Sequence, residues 1–320
     1  FRVMDRAAEA AKAEKNALKA QKSGFFKSPD WDSSAVQFEQ ASALYVALKQ
    51  PEDAKRCFQA AADAHSKAGN YFFVAKNLES LSKIYVDQKN SLKASAMLEN
   101  AAQAYLEDGK PDKQADMYTK AAKLLLPDDS DRATSLLERA CEVYREESKW
   151  YLARDTFQLL ATTYIQQEKW REAVATIRSH FPGFIAMEQK HNMHRAYAEI
   201  VIIHLAAGDL PAAQNAYSEG CGRTECEFGV SDEAVACAAL LRAYEANDPE
   251  EVESSAKSIT FTFLTSSVAR LVRQIKVLGK VMAAQPLQAT GDTDEVACDA
   301  QENPLVPTAD ITELDEDNLC

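Results

Sequence analysis

Glycine and proline are scarce, ten of each in 320 residues. Barrels, sandwiches and Gly-rich nucleotide loops turn often and need more of both, so the shortage argues against them. Long apolar runs are missing too. The best stretch, Ala196 to Ala207, is short and is interrupted by Glu199 and His204, too little for a transmembrane helix. The opening Phe1-Arg2-Val3-Met4-Asp5 has no apolar signal core, which predicts a cytosolic location. Seven cysteines, an odd number scattered along the chain, suit reduced thiols better than a disulfide framework. Basic residues are absent from one end: Met282 to Cys320 holds ten Asp or Glu and no Lys or Arg. That segment carries −10 of the net −13, and the 36 basic and 39 acidic groups of residues 1–281 leave the body at −3. A near-neutral body with an acidic tail disfavours nucleic-acid backbones and leaves room for local basic patches.

What is present is a period. Polar turn segments centred near 51, 69, 89, 110, 128, 148 and 168 recur about every 20 residues, one helix plus a turn, so a helical hairpin takes about 40. Between them the apolar spacing is helical, as in Phe38, Ala41, Tyr45, Leu48 and in Val74, Leu78, Leu81, Tyr85. Tyr45, Tyr85, Tyr105, Tyr144 and Tyr164 occupy matching places, surrounded by alanines that let helices approach. Each unit leaves one face wet until the next stacks on it. The predicted fold is all-α, a TPR-like right-handed solenoid of antiparallel helical hairpins with a C-terminal helical bundle.

Composition divides the chain into an N-terminal helix (1–22), a Phe-containing loop (23–34), a hairpin-repeat sheet (35–210), a C-terminal bundle (211–284) and an acidic, largely disordered tail (285–320). Pro182-Gly183 is expected to break the helical rhythm, Gly220 to Gly229 to form an irregular loop, and Glu250 to Met282 to be helical.

The chemistry-bearing patterns are weak. His191 and His194 are three apart, but no Glu follows the first as a zinc-protease helix requires. Cys221, Cys226 and Cys237 lack metal or redox spacing, and no phosphate loop, dinucleotide fingerprint or nucleophile elbow occurs. No catalytic residue, metal site or cofactor is expected.

Three features point instead to partners. In the loop Lys22 to Trp31, Gly24 and Pro29 bracket Phe25-Phe26, which serves either as a staple onto the first hairpin or as a membrane-inserting wedge. Lys12, Lys15, Lys19 and Lys22 form one basic stripe aimed toward it, suited to weak attachment to an anionic membrane surface. A basic residue also recurs near helix starts: Lys55 or Arg56, Lys76, Lys93, Lys113, Arg132, Arg154, Arg171 and Arg195. Cations are unfavourable there, so their recurrence suggests use by an elongated acidic partner, with ordinary solubilising charge as the alternative. Finally, Ile311 to Cys320 sets leucines among carboxylates, a pattern that can dock on a basic, partly apolar surface.

In order and spacing these features resemble the soluble NSF attachment proteins (SNAP family), and within them the gamma branch. The resemblance runs from the opening helix and Phe25-Phe26 through the 20-residue rhythm to the acidic end with its penultimate Leu319. It implies an adaptor that binds the SNARE four-helix bundle and recruits and stimulates the hexameric ATPase NSF, which disassembles the bundle during vesicle trafficking. It assigns Phe25 and Phe26 to membrane attachment. It places Lys89, Lys110, Lys113, Arg154 and Arg195 on the SNARE side, although Asp116 and Asp155 stand where the alpha form carries lysines. It gives Asp209, Glu245, Asp315, Glu316, Asp317 and Leu319 to the ATPase side. A cytoplasmic protein, peripheral on the cytosolic face of membranes, is the expected setting. The alternative is a TPR-type peptide-binding scaffold or co-chaperone.

Overall fold

A computed structural model describes residues 2–22 and 28–277. Among these there is no β-strand, and successive α-helices pack mainly on their chain neighbours. The hairpin array comprises α1 (Arg2–Ala20), α2 (Trp31–Ala47), α3 (Pro51–Ala68), α4 (Tyr71–Asp87), α5 (Ser91–Glu107), α6 (Pro111–Leu125), α7 (Ser130–Glu146), α8 (Trp150–Gln166) and α9 (Trp170–Ser179). Then follow α10 (Phe181–Ala186), α11 (Lys190–Ala206), α12 (Leu210–Gly222), α13 (Asp232–Glu245), α14 (Pro249–Ala256) and α15 (Ser266–Leu271), with 3₁₀ turns at Phe228–Val230, Ile259–Phe263 and Val272–Gln274.

One turn design explains most of the 20-residue rhythm, the turn between α6 and α7 excepted. After the last helical turn a single residue adopts the left-handed conformation, and the residue after it opens the next helix. Gly69, Gly109 and Gly208 fill the left-handed position, as its φ > 0 favours. Lys49, Lys89, Ser148, Glu168, Glu188 and Asn247 adopt it with side chains, at φ between 52° and 57°. The amide of the following residue donates to the carbonyl five positions back: Gln50 to Tyr45, Asn90 to Tyr85, Lys110 to Tyr105, Lys149 to Tyr144 and Lys169 to Tyr164. The recurring tyrosines therefore have one address. Each closes a helix with its carbonyl while its ring packs between helices. Tyr45, Tyr105, Tyr144 and Tyr164 are buried, amid alanines such as Ala41, Ala101, Ala121 and Ala140 that let the backbones approach.

About half of the helices start on an Asx cap or a proline. Asp30, Asn90, Asp129 and Asp209 accept from amides three residues on, and Pro51, Pro111, Pro211 and Pro249 stand in first turns. Helices two apart are tied as well: Asn77 of α4 donates to Glu39 of α2 at 2.7 Å, and Thr119 of α6 meets Thr156 of α8 at 3.1 Å.

Three expectations need correction. Helix α2 begins at Trp31, inside the segment read as loop 23–34, because the Asp30 Oδ1 accepts the Ser33 amide at 2.9 Å and turns a serine-rich stretch helical. Pro182-Gly183 do not break a helix; Pro182 sits in the first turn of α10, where its missing amide costs nothing, and the interruption falls at His180. The helix expected over 250–282 is divided into α14, α15 and two 3₁₀ turns within its described part. Ser and Thr side chains compete there for backbone carbonyls, as Thr262 Oγ1 does in donating to Ile259 O at 2.6 Å.

Candidate functional site

Lys12, Lys15, Lys19 and Lys22 are all exposed, while Ala10, Ala13 and Ala17 of the same helix are buried. Glu14 pins the stripe-bearing helix in place: it accepts from Tyr45 Oη at 3.3 Å and from the Arg56 guanidinium, with Nη2 at 3.1 Å. Phe25 and Phe26, to which the stripe leads, lie outside the described residues, as do Asp315, Glu316, Asp317 and Leu319.

Of the basic residues near helix starts, most are held by carboxylates or rings of the chain itself, so their unfavourable position is compensated without a partner. Lys55 contacts Glu52 at 2.8 Å and lies 4.9 Å above the Tyr85 ring. Arg56 is held by Glu14 and Asp53, Lys76 pairs with Glu79 at 3.1 Å, and Arg132 pairs with Glu99 at 2.6 Å. Lys93 lies over Tyr85 at 5.8 Å. Carboxylates of the same helix (Glu52, Asp53, Glu79) and carboxylates and rings of other helices (Glu14, Glu99, Tyr85) supply the compensation that the helix N-terminus lacks.

Lys110 and Lys113 join a cluster at one end of α4, α5 and α6. The Lys110 ammonium lies 4.4 Å from the Phe72 centroid, Lys113 5.9 Å from it and 5.6 Å from Tyr105, and Lys76 5.9 Å from Phe72. Lys110 also pairs with Asp108. Tyr105 donates to Glu79 at 2.5 Å. Burial and then this bond push the phenol pKa up. Burial works against the Glu79 carboxylate, yet the Tyr105 and Lys76 bonds outweigh it and hold the group below its usual range. Phe73, next to Phe72, is half exposed. The result is a face of three ammonium groups around aromatic rings, suited to an acidic and partly apolar partner. Lys89, in its left-handed turn, stands at the opposite end of α5. With 17 residues in that helix, the two ends are about 25 Å apart.

Arg154 and Arg195 come together at a different place. Both line a cleft between α8, the α9–α10 corner, α11 and the turn at 263–265. His180 and Glu199, which sequence reading did not select, complete it. Glu199 is buried and accepts from the Thr265 amide at 2.9 Å. Burial raises its pKa, against the Thr265 hydrogen bonds and the nearby Arg195 and Arg154. Asp116, by contrast, is paired with Lys120 at 2.8 Å, and Asp155 is exposed.

Asp209 caps α12, its Oδ1 accepting from the Ala212 amide at 3.0 Å, and remains exposed. Glu245 is exposed at the end of α13. His194 is committed to the Cys226 carbonyl, with Glu233 3.9 Å from its Nδ1, and its ring lies 6.0 Å from that of His191. Cys226 and Cys237 are buried and Cys221 is exposed. Among the described residues no three His, Cys, Asp or Glu side chains converge as a metal site would require. No described helix is long and apolar enough to cross a membrane.

Comparison with known proteins identifies relatives of the chain. Two curated relatives, both described as "Gamma-soluble NSF attachment protein", are each 27% identical to the chain. The one from Dictyostelium discoideum aligns over 78% of this chain and 76% of its own length, and the one from Arabidopsis thaliana over 84% and 91%. Among solved structures, BtubC from P. vanneervenii superposes at a TM-score of 0.37 with 14% identity, over 67% of this chain and 89% of its own, too loosely to carry an argument. The profile of the family described as "Soluble NSF attachment protein, SNAP" matches residues 5–260, most of the described body. The chain belongs to the soluble NSF attachment protein family.

Proposed function

We propose that this chain is an adaptor that binds SNARE four-helix bundles and recruits and stimulates an NSF-type hexameric ATPase for their disassembly. The observation that carries the reading is the family match over residues 5–260. The two gamma-named relatives, each covered over three quarters of its length or more, support it.

The surfaces suit the roles. Lys110 and Lys113 stand about 25 Å from Lys89 along α5, so one partner touching both must be extended, as a helical bundle is. Arg154 and Arg195 add a second point of contact on α8 and α11. Asp209 and Glu245 present exposed carboxylates on the C-terminal bundle; with Asp315, Glu316, Asp317 and Leu319 they form the ATPase side of the proposal. Lys12, Lys15, Lys19 and Lys22, with Phe25 and Phe26, make the membrane side. Each contact is weak, and several copies around one bundle gain avidity by acting together.

The test is a pull-down with the full chain from detergent-solubilised membranes, with and without hydrolysable ATP. A complex containing SNAREs and an ATPase, released when ATP is hydrolysed, is expected. Capture of chaperones through their acidic C-terminal peptides, with no nucleotide-sensitive ATPase, would replace this reading with a peptide scaffold.

A further inference from the structure

The cleft lined by Arg154 and Arg195 has a volume of about 140 Å³. That is close to an engineered cavity of about 150 Å³ that admits benzene, so it suits a group of about six to ten non-hydrogen atoms. Phe157, Ile177, Phe184 and Leu264 give it apolar walls.

Two buried nitrogens in it have no partner in the protein: His180 Nε2 and Arg195 Nε. The His180 side chain is fixed, since the residue is only 4% exposed and its ring stacks on Phe157 at 4.7 Å and packs against Phe184 at 4.4 Å. Burial pushes its pKa down to about 4, against a hydrogen bond to the Trp150 backbone and with a small push from Arg154. At neutral pH the ring is therefore uncharged. With Nδ1–H engaged by the Trp150 backbone, Nε2 is a bare acceptor. Arg195 Nε is a donor. Protein interiors pair nearly all such atoms, and here a buried lone donor and a buried lone acceptor belong to two residues that line one cleft. The charge is complementary to an anion, with Arg195 inside and the exposed Arg154 at the mouth. Glu199 is on the same wall; its Oε1 accepts from the Thr265 amide, and burial raises its pKa, which lessens the negative charge set against the two arginines.

We infer that this cleft binds a small oxyanion carrying a hydroxyl group, the oxyanion on Arg195 and Arg154 and the hydroxyl donating to His180 Nε2. The adaptor reading uses the same Arg154 and Arg195 on its SNARE side but calls for no such ligand, and the binding of a small anion is measured apart from SNARE capture. Hydroxy-carboxylates and glycerol phosphate esters share the required chemistry, and the latter also occur as lipid headgroups.

The test titrates the full chain, labelled with ¹⁵N-histidine, with lactate, glycerol 3-phosphate, acetate and glycerol, following the His180 imidazole nitrogens. His180→Phe assigns the resonances. Lactate or glycerol 3-phosphate should shift Nε2 saturably in the millimolar range. Acetate, without the hydroxyl, and glycerol, without the charge, should each bind about ten-fold more weakly, the loss of one good hydrogen bond. Arg195→Lys keeps the charge, removes the Nε–H and should weaken binding by about the same factor. Should that variant unfold, His180→Phe provides the second reading: followed by calorimetric titration, it should no longer prefer lactate to acetate. Phosphatidylglycerol vesicles that shift Nε2 would assign the ligand to a lipid headgroup, and a shift with free glycerol 3-phosphate alone would assign it to a soluble molecule. If neither hydroxyl-bearing anion moves Nε2, or if both variants bind as the parent does, the cleft is merely hydrated and the inference is wrong.

Discussion

Glu199 joins two parts of the fold that are 66 residues apart in sequence. It is 8% exposed and its Oε1 accepts from the Thr265 amide, so Glu199→Ala removes a hydrogen bond to a charged group, worth about 1.5–3 kcal/mol. It also leaves the Thr265 N–H without a protein partner, and the two terms overlap to give about 2–4 kcal/mol in all. Glu199→Gln keeps a carbonyl oxygen in the same place and should cost less than about 1 kcal/mol. The assay is hydrogen exchange across residues 259–277 alongside urea unfolding. In the Ala variant, protection at Thr265 should fall by about 30- to 1,000-fold. In the Gln variant it should hold. The pH dependence has a definite sign. Burial raises the Glu199 pKa in the folded state, so the native protein keeps a proton that the unfolded chain has already released. The contribution of this group therefore declines as pH rises from the ordinary carboxylate pKa to the raised folded value, and is constant above it. Gln has no such proton, so its stability relative to wild type should improve across that window and then level off. Equal losses for Ala and Gln, or a gap between Gln and wild type that ignores pH, would refute the reasoning.

Other expectations follow from the turns and the partner surfaces. Glu168→Gly relieves a left-handed backbone at φ 56° on an exposed residue, and should raise stability in urea by about 0.5–1 kcal/mol after the entropy cost of glycine; a loss would show that the side chain contributes something unseen. Phe25→Ser with Phe26→Ser removes at most about 3–6 kcal/mol of apolar burial. Activity on liposomes should weaken while activity in detergent is spared, and equal activity in both would remove the membrane role. Leu319→Ala should retain SNARE binding and lose ATPase stimulation, measured as phosphate release; unchanged stimulation would make the terminus a bystander.

The repeat was legible because it is local. Turn residues, caps and the recurring tyrosines all act within one helix and its adjoining turn, so a 20-residue window contains the cause and the effect. The start of α2 was missed because Asp30 looks like any loop aspartate until its oxygen is seen on the Ser33 amide. What holds the basic residues was legible only in part. Glu52 for Lys55 and Glu79 for Lys76 are three residues away on the same helix, whereas Glu14 for Arg56 and Glu99 for Arg132 are two helices away, at separations of 42 and 33 residues that carry no periodic signal. Glu199 was visible as a charge interrupting an apolar run, which is the mark of a buried carboxylate. Thr265 could not be named from it, since that pairing depends on how the C-terminal segment returns to α11. His180 gave no signal at all, because its significance lies in a stack formed by Phe157 and Phe184.

The neighbour-to-neighbour packing of the helices has a mechanical side. An array in which each member touches chiefly the next is loaded in series, so a pull between its ends is borne in full by every joint and the weakest joint yields first. Bonds from tyrosine hydroxyls to glutamates, Tyr45 to Glu14, Tyr105 to Glu79 and Tyr164 to Glu138, cross the α1–α2, α4–α5 and α7–α8 joints. Those bonds, with His65 to Glu39 across α2–α3 and Arg139 to Tyr118 across α6–α7, resist sliding at the joints they cross.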